Sequence, residues 1–528
     1  MNRRLLPAFV FFSFLLACVI LYEYGESFTF YFVGDDFAFI EYVRAEKASI
    51  LWKPSCFYHY YPLGLFFITL PAYFDVFEPA YFTAVSFFFF VCSSILVMIL
   101  FRKIAGGLAG GFLAALIYAT AVPHSEVIYW KTCTSTIAMT FFSLASLFLY
   151  SLYLERKRAA FLVFCLAAYI ASVLCMEQGI VTSGVLFLYD FLFHSFPQFK
   201  SSAADRRRQV VKGFLGRTML LILLPALLMM LKSIVGAQLS PFSFAQLFPR
   251  IPHLTFETII RLFDFNRIAS GMHLSTTQAS LLVLALGLVF LIYIFYRRTA
   301  AGFLFLFSSL GSVLAISLAA GGPNERYFCL PLAFFSCFLS LLLRDAAAAA
   351  AYPFENAFAN LNRRLFLGNM RHILYVGISL LVAAAGITGN LERRAYWAVA
   401  STIERNIVST VEGVYLAGSI QPRKGKKLYL VNMPSYMVNE KKAVFYICSN
   451  SVIPDLRHKL PHAADDMELV ATGNLFEMDI NGEKLIYRAL GLDNAMDNAR
   501  IQQLMDDGHL FLQFSPVVMT AVPLKAKM

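Results

Sequence analysis

Long apolar stretches alternate with short polar segments from the N-terminus to about residue 390. A helix that crosses a bilayer needs about 20 mostly apolar residues. Because backbone polar groups must pair within the bilayer, stretches of this length predict helices. The pattern predicts a polytopic α-helical membrane protein with about 11 transmembrane helices, at residues 4–22, 80–101, 106–122, 133–154, 159–175, 178–196, 213–235, 277–296, 300–320, 326–343 and 372–389.

Basic residues cluster in every second loop between these stretches. Since loops rich in Lys and Arg stay in the cytoplasm, the alternation predicts a cytoplasmic N-terminus and an extracytoplasmic C-terminal segment. The expected location is the cytoplasmic (inner) membrane of a bacterium. The clusters are Arg3-Arg4, Arg102-Lys103, 156–158, 200–212, Arg297-Arg298 and 344–371.

Residues 62–78 test this orientation, because they are also apolar. Pro62, Pro71, Asp75 and Pro79 interrupt them, and a crossing here would invert the side of every later basic cluster. We therefore predict short interfacial helices on the outer leaflet, within a first outer loop of residues 23–79.

The composition changes near residue 390, which predicts a second domain. Residues 1–389 would form the transmembrane domain, and residues 390–528 a smaller soluble α+β domain on the extracytoplasmic side. The second domain is predicted to begin with an amphipathic helix at 391–417, followed by strand-like stretches at 427–431 and 443–448. A hairpin at 475–487, which turns on Asn481-Gly482, and a last strand pair near 509–522 are expected after them.

Composition agrees with a membrane protein. The 528-residue chain is 59% hydrophobic and 15% charged, more apolar than a soluble domain can bury. Its formal net charge is +11, but the basic residues lie between apolar stretches and form no continuous surface, which argues against nucleic acid. The nine cysteines lie singly and predict neither a disulfide framework nor a zinc site.

Two adjacent aspartates, Asp35 and Asp36, follow the first apolar stretch and lie on the predicted outer face. Carboxylates near a membrane can accept a proton from a nucleophile or organise a cation. A solvated loop is the plain alternative, and Arg326 alone could be an interface anchor. Other unusual polar residues are predicted on the same face, and their number argues for a site. They are His59, His124, Glu126, Lys131, Glu177 and Arg326.

Five segments on this face resemble motifs of polytopic membrane glycosyltransferases with the GT-C architecture. Residues 57–64 (FYHYYPLG) and 78–82 (EPAYF) are similar to first-loop segments of that family, and 325–331 (ERYFCLP) resembles its Glu-Arg-Tyr-x-Tyr-Leu-Pro. Residues 115–130 and 176–190 are similar as well. The resemblance is to the transmembrane part of tetratricopeptide-repeat O-mannosyltransferases and their bacterial relatives. More distantly it extends to protein O-mannosyltransferases and aminoarabinose transferases.

The resemblance implies transfer of a hexosyl or pentosyl group from a polyprenyl phosphate to a hydroxyl on an envelope lipid, glycan or protein. It implies Asp35 or Asp36 as the base that deprotonates the acceptor. The implied binding residues for the donor phosphate or the substrate are Lys131, Arg326, Tyr327, His59 and Glu177. A divalent metal, Mg²⁺ or Mn²⁺, is a candidate cofactor, with Asp36, His124 and Glu126 as its ligands.

The chain departs from the family at two positions. Tyr61 aligns with a first-loop arginine, and Met176 with a basic residue before the third-loop glutamate. Tetratricopeptide repeats are absent, which argues against protein O-mannosylation and favours an envelope enzyme. A transporter or flippase of lipid-linked substrates remains an alternative, although transporter sites usually lie near the bilayer midplane. A membrane scaffold without catalysis is the third interpretation.

Overall fold

The computed structural model describes residues 5–53, 60–74, 76–235, 276–297, 299–319, 325–357 and 363–416, and separate short stretches within 428–523. Helices dominate the part before residue 417. They are α1 (Leu6–Tyr24), α2 (Asp36–Glu46), α3 (Pro62–Thr69), α4 (Pro79–Ala105), α5 (Leu108–Ala119), α6 (His124–Tyr129), α7 (Thr134–Arg156), α8 (Ala159–Cys175), α9 (Val181–Asp190), α10 (Phe196–Ser201), α11 (Ala204–Ile234), α12 (Thr276–Arg297), α13 (Ala300–Ala319), α14 (Cys329–Ala357) and α15 (Arg363–Leu416).

The helical character predicted from the apolar stretches is confirmed. Among the described residues, seven helices are long and apolar enough to cross a membrane. Every predicted stretch lies on a helix, but several helices are shorter than a span needs, such as α5 with 12 residues. The count of 11 crossings therefore stays a prediction. Large apolar side chains along α11 are exposed, as expected for a helix that faces lipid: Leu215, Met219, Ile222, Leu223, Leu227 and Met230.

Charged residues from several loops pair at one end of the helical bundle. At one end Lys103 pairs with Glu155 at 2.5 Å and Arg297 pairs with Asp345 at 2.9 Å. We call this the basic end. The opposite end carries α2, α3, α6 and the aspartate pair. These ion pairs join, at the basic end, helices that are far apart in the sequence.

The helix α3 is buried deeper than an interfacial helix would be. It packs against α7 and α8, and Pro62, Leu65 and Ile68 are buried. An added Cβ at Gly64 would lie 2.3 Å from the carbonyl oxygen of Cys175. The eight-residue length of α3 is too short for a crossing, and the predicted position of 62–78 at the outer leaflet stays a prediction.

The long helix α15 joins the two predicted domains. It runs for 54 residues without a break, so the boundary expected at residue 390 falls inside it. Asn390 is buried there and its side-chain amide donates hydrogen bonds to the Tyr24 hydroxyl at 2.8 Å, the Thr120 carbonyl at 3.1 Å and the Glu23 carboxylate. These bonds tie α15 to α1 and α5.

Close packing of α15 on α5 gives a stability prediction. An added Cβ at Gly386 would lie 2.2 Å from the Thr120 carbonyl oxygen, whereas at Gly377 it would meet nothing within 4 Å. We expect Gly386→Ala to lower the free energy of unfolding by about 1–3 kcal/mol through overpacking. Gly377→Ala, in the same helix, should leave it unchanged or slightly higher. Thermal unfolding of both variants checks this, and equal midpoints would contradict the close contact.

After α15 the chain forms two four-stranded sheets in the described stretches. One sheet has the order β4-β1-β7-β8 and the other β3-β2-β5-β6. The predicted strands at 427–431 and 443–448, the hairpin and the last strand pair are confirmed as β1, β3, β5 with β6, and β7 with β8. The bounds are β1 (Leu428–Val431), β2 (Pro434–Val438), β3 (Val444–Tyr446), β4 (Met467–Val470), β5 (Asn474–Met478), β6 (Leu485–Arg488), β7 (Leu510–Ser515) and β8 (Thr520–Pro523).

Candidate functional site

A tight turn presents the aspartate pair. Gly34 has a φ of +65°, a backbone conformation that favours glycine. An added Cβ at Gly34 would also lie 3.0 Å from the Trp130 indole nitrogen, so the turn packs directly on that ring. The next residue, Asp35, is the N-cap of α2 and its side chain makes no capping bond. Asp35 is half-buried, whereas Asp36 is almost fully buried.

Both oxygens of Asp36 are held by protein donors. Oδ2 accepts a hydrogen bond from the Val33 amide at 3.0 Å. Oδ1 accepts two from Thr132, at 2.9 Å from its amide and 2.5 Å from its hydroxyl. Burial raises the pKa of Asp36 to about 6, although the Lys131 charge and these bonds oppose the rise. Asp36 therefore ties the turn to the segment before α7.

Lys131 reinforces the same tie. Its side chain is 1% exposed, and Nζ lies 3.0 Å from the Phe30 carbonyl, 3.4 Å from the Tyr31 carbonyl and 3.5 Å from the Tyr129 carbonyl. An ammonium group has three donors, so these carbonyls occupy them. In this structure Lys131 binds the backbone of residues 30, 31 and 129, and its role at a donor phosphate, expected from the sequence, stays a prediction.

Arg326 lies close to the aspartate turn, because both pack against the Trp130 indole. Its guanidinium carbon is 5.0 Å from the centre of the Trp130 ring and 5.0 Å from that of Tyr327. Both Arg326 and Tyr327 are half-buried. Because the Gly34 backbone and Arg326 contact the same indole, the structure brings a guanidinium close to the aspartate pair. Stacking on aromatic rings orients a guanidinium and leaves its edge for an anion.

The proposed metal ligands do not fit a metal. His124 is fully buried, with its ring 4.9 Å from Phe90 and 4.6 Å from Tyr118, centre to centre. Burial lowers the pKa of His124 to about 3, so its imidazole is neutral. Within the described residues, no three His, Cys, Asp or Glu side chains could together hold a metal ion. Asp36, His124 and Glu126 therefore do not form the metal site expected from the sequence. The His124 ring packs against Phe90 and Tyr118 instead.

Glu126 nonetheless belongs to the same region. Buried Cys133 is within electrostatic range of Glu126, Arg326 and Asp36 together. Glu177 has another neighbour, since its carboxylate lies 3.1 Å from the Lys232 ammonium on α11. A carboxylate near the bundle interior with a basic partner is the pairing expected there. His59 lies outside the described residues.

The C-terminal part reaches the first outer loop through Tyr31. The Tyr31 hydroxyl donates a 2.5 Å hydrogen bond to Asp455, and the Tyr31 amide donates one of 2.6 Å to the Ser401 hydroxyl. Arg405 and Lys459 both lie within 6 Å of the Tyr31 ring centre, at 5.5 and 5.4 Å. Tyr31 therefore connects the aspartate turn to α15 and to the segment that carries Asp455.

Glu404 adds a further acid to this region. It is fully buried and lies within electrostatic range of Asp35, Asp36 and Asp455. Sequence reasoning missed Glu404, Asp455, Tyr31, Thr132 and Trp130 as members of the site. The sequence offered one signal, a buried-face acid within the predicted amphipathic helix at 391–417. The other contacts depend on which distant segments meet.

The burial of Asp455 predicts a pH effect on stability. Burial raises the pKa of Asp455 from its usual 3.8 to about 6. The folded state therefore binds this proton more tightly than the unfolded chain, and the resulting stabilisation is full below pH 4 and is lost as the pH rises through about 6. As the pH falls from 7 to 5, we expect the unfolding midpoint of the wild type to rise relative to that of Asp455→Asn. Asp507→Asn, at an exposed site, should follow the wild type, and parallel curves for all three would contradict the shift.

No protein-family model and no curated protein matches the chain. Among solved structures, it is similar to ArnT from Cupriavidus metallidurans in the apo state, with a TM-score of 0.45, 15% identity and coverage of 96% of this chain and 93% of that one. ArnT bound to undecaprenyl phosphate gives 0.42 and 14%, with coverage of 98% and 94%.

The archaeal oligosaccharyltransferase AglB from Archaeoglobus fulgidus, in complex with an inhibitory peptide and a dolichol-phosphate, is similar with a TM-score of 0.39 and 12% identity. That match covers 80% of this chain and 62% of AglB.

Proposed function

We propose that this protein is a membrane glycosyltransferase of the GT-C type, which moves a hexosyl or pentosyl group from a polyprenyl phosphate to a hydroxyl acceptor on the outer face. The observation that carries the proposal is the aspartate turn, fixed by Thr132 and Lys131 beside the Trp130–Arg326 pair. A base and an anion-binding cation next to each other are what this transfer needs.

Asp35 is the proposed base. It is half-buried and follows a turn whose conformation is fixed, whereas Asp36 is almost fully buried. In the proposed step the acceptor oxygen attacks the anomeric carbon and its proton passes to Asp35. The bond between the anomeric carbon and the phosphate oxygen breaks, and its electron pair leaves with the polyprenyl phosphate.

Arg326 is the proposed ligand of the departing phosphate. A guanidinium presents paired donors to phosphate oxygens, and such bonds are stronger where water is scarce. Tyr327 orients Arg326 by stacking. Lys131 and Asp36 are positioning residues in this scheme, since their polar atoms bind the protein. Glu126 and Glu177 are proposed to shape the substrate site, and no step is assigned to a metal.

An apolar cavity behind α2 suits the lipid part of the donor. It has a volume of about 380 Å³ and is lined mainly by apolar side chains of the first outer loop and α8, including Ile50, Leu63, Phe66 and Leu174. Lipid-like ligands are usually held in cavities of this character. A polyprenyl chain is the proposed occupant, the same class of lipid as the undecaprenyl phosphate in the ArnT structure.

The test uses purified protein in liposomes with polyprenyl-phosphate sugars labelled in the sugar. Membrane extract supplies the acceptors, and the readouts are label in the acceptor fraction and release of free polyprenyl phosphate. We expect both to rise together for one donor class. A flippase would instead move the intact labelled lipid between leaflets without releasing polyprenyl phosphate, and that result would replace the proposed transfer by transport.

A further inference from the structure

A second polar cavity lies at the basic end of the bundle. Its volume is about 450 Å³, and the end of α7, the segment 194–202 and the start of α11 line it. Lys157, Arg206, Arg217 and His194 contribute to the wall, and none of its ten lining residues is acidic. The cavity therefore concentrates positive charge around a space large enough for a small anion.

The cavity is remote from the aspartate turn. Thr132 and Lys157 stand at opposite ends of α7, whose 23 residues separate them by roughly 35 Å at about 1.5 Å per residue. A ligand in this cavity would not touch Asp35 or Arg326. Binding in this cavity is therefore independent of the glycosyltransferase assignment.

One cation of the wall is rigidly held. Arg217 donates hydrogen bonds of 2.6 and 3.1 Å to the two oxygens of Asp190, which also accepts bonds from Tyr150 at 2.8 Å and Ser195 at 2.7 Å. Asp190 is 1% exposed and lies behind the wall. It balances the charge of Arg217 and fixes its direction, so the net positive charge of the wall comes from Lys157 and Arg206.

Lys157 is placed at the cavity by an uncommon backbone conformation. It ends α7 with a φ of +56°, which is costly for a residue with a side chain. Its Nζ lies 2.9 Å from Nε2 of His194. Burial and the Arg217 charge lower the pKa of Lys157, so a positive field already acts on its ammonium. An anion that contacts both Lys157 and Arg217 would relieve the repulsion between their charges.

Three other basic residues at this end are paired with acids. Lys103 pairs with Glu155, and Arg297 and Arg344 both pair with Asp345. No acidic side chain among the described residues pairs with Lys157 or Arg206. The general excess of basic residues in cytoplasmic loops does not by itself produce such a cluster around one cavity.

Exposed aromatic side chains flank the cavity. Phe191, Phe196 and Phe199 are 39%, 51% and 40% exposed. Phe191 begins a π-helical turn that ends at Ser195, a kind of turn that often occurs at functional sites. Exposed phenylalanines next to basic residues are a combination that segments binding anionic membrane lipids often carry.

We propose that this cavity binds a phosphate group at the basic end of the bundle. Lys157 and Arg206 would donate charge-assisted hydrogen bonds to it, and Arg217 would present its remaining guanidinium edge. The phosphate belongs either to the headgroup of an anionic membrane lipid or to a soluble phosphate compound. Both share the chemistry that the cavity recognises.

The experiment compares two double variants of the full-length protein in detergent at fixed ionic strength. Lys157→Gln/Arg206→Gln removes two charges from the wall. Arg158→Gln/Arg208→Gln removes two exposed charges next to them that do not line the cavity. The probes are dioctanoyl phosphatidylglycerol, inorganic pyrophosphate and, as a neutral comparison, dioctanoyl glycerol. Native mass spectrometry measures the binding of the two lipids, and calorimetry measures pyrophosphate.

We expect the wall variant to bind the phosphate probes at least about tenfold more weakly than the wild type, because two charge-assisted contacts are lost. The control variant should bind as the wild type does. Loss of lipid binding alone identifies a lipid headgroup, and loss of pyrophosphate binding alone identifies a soluble phosphate. Equal weakening in both variants, or no preference for phosphate over dioctanoyl glycerol, would overturn the proposal. If the double wall variant does not fold, the single variants Lys157→Gln and Arg206→Gln give the same comparison against Arg158→Gln and Arg208→Gln.

Discussion

Asp35→Asn is expected to lower the rate of sugar transfer by about 100- to 10,000-fold, the usual cost of losing a general base. The amide has nearly the same shape, and the Asp35 side chain makes no capping bond to α2, so the fold should persist. The measurement is release of free polyprenyl phosphate from the labelled donor in liposomes. Thermal unfolding and membrane insertion are recorded for the same preparations.

Glu46→Gln is the matched control for this experiment. Glu46 ends the helix that Asp36 begins, and it forms a surface ion pair of 2.6 Å with Lys53. The substitution removes the same charge from the same loop and should leave transfer near the wild-type rate. If Asp35→Asn kept full activity, Asp35 would not be the base. If Asp36→Asn were fully active as well, the aspartate pair would lose its catalytic role altogether.

Lys131→Met is expected to lower both stability and transfer. The substitution removes donors from the Phe30 and Tyr31 carbonyls and a positive charge near buried Asp36. Losing hydrogen bonds from a charged group should cost about 2–3 kcal/mol of unfolding free energy. Because the aspartate turn would lose its support, we also expect transfer to fall by roughly 100-fold.

A double-mutant cycle separates positioning from direct phosphate binding. If Lys131 acts by holding the turn with Asp36, the stability losses of Lys131→Met and Asp36→Asn should not add in the double variant. A residue that binds the donor phosphate would raise KM without lowering stability. Lys103→Met, at the basic end, is the control for removing a lysine from this protein. Additive losses would contradict a shared role.

The sequence predicts helices well here because their signal is local. The apolar stretches at 80–101 and 133–154 become α4 and α7, since their length and composition alone select a helix in a bilayer. The strand at 427–431 and the hairpin of β5 and β6 are likewise visible in short patterns. The burial of α3 was missed because it depends on a groove between α7 and α8 that no local pattern reports.

The site was predictable only in part. The turn that carries Asp35 and Asp36 stands out in the sequence because charge is rare there, and Arg326 belongs to a recognisable motif. The role of Lys131 was not predictable, since a lysine that binds carbonyls and one that binds a phosphate look the same in a sequence. His124 was expected to be a metal ligand because of its residue type, but its ring packs against aromatic rings of α4 and α5.

The helix α15 has a consequence for the order of events during synthesis. The Tyr31 amide meets Ser401 across a sequence separation of 370 residues, and Tyr31 meets Asp455 across 424. A ribosome makes the first outer loop long before it makes α15. The aspartate turn therefore lacks its contacts with Ser401 and Asp455 until most of the chain has been synthesised. A nascent chain that stops before residue 401 would contain the turn without either contact.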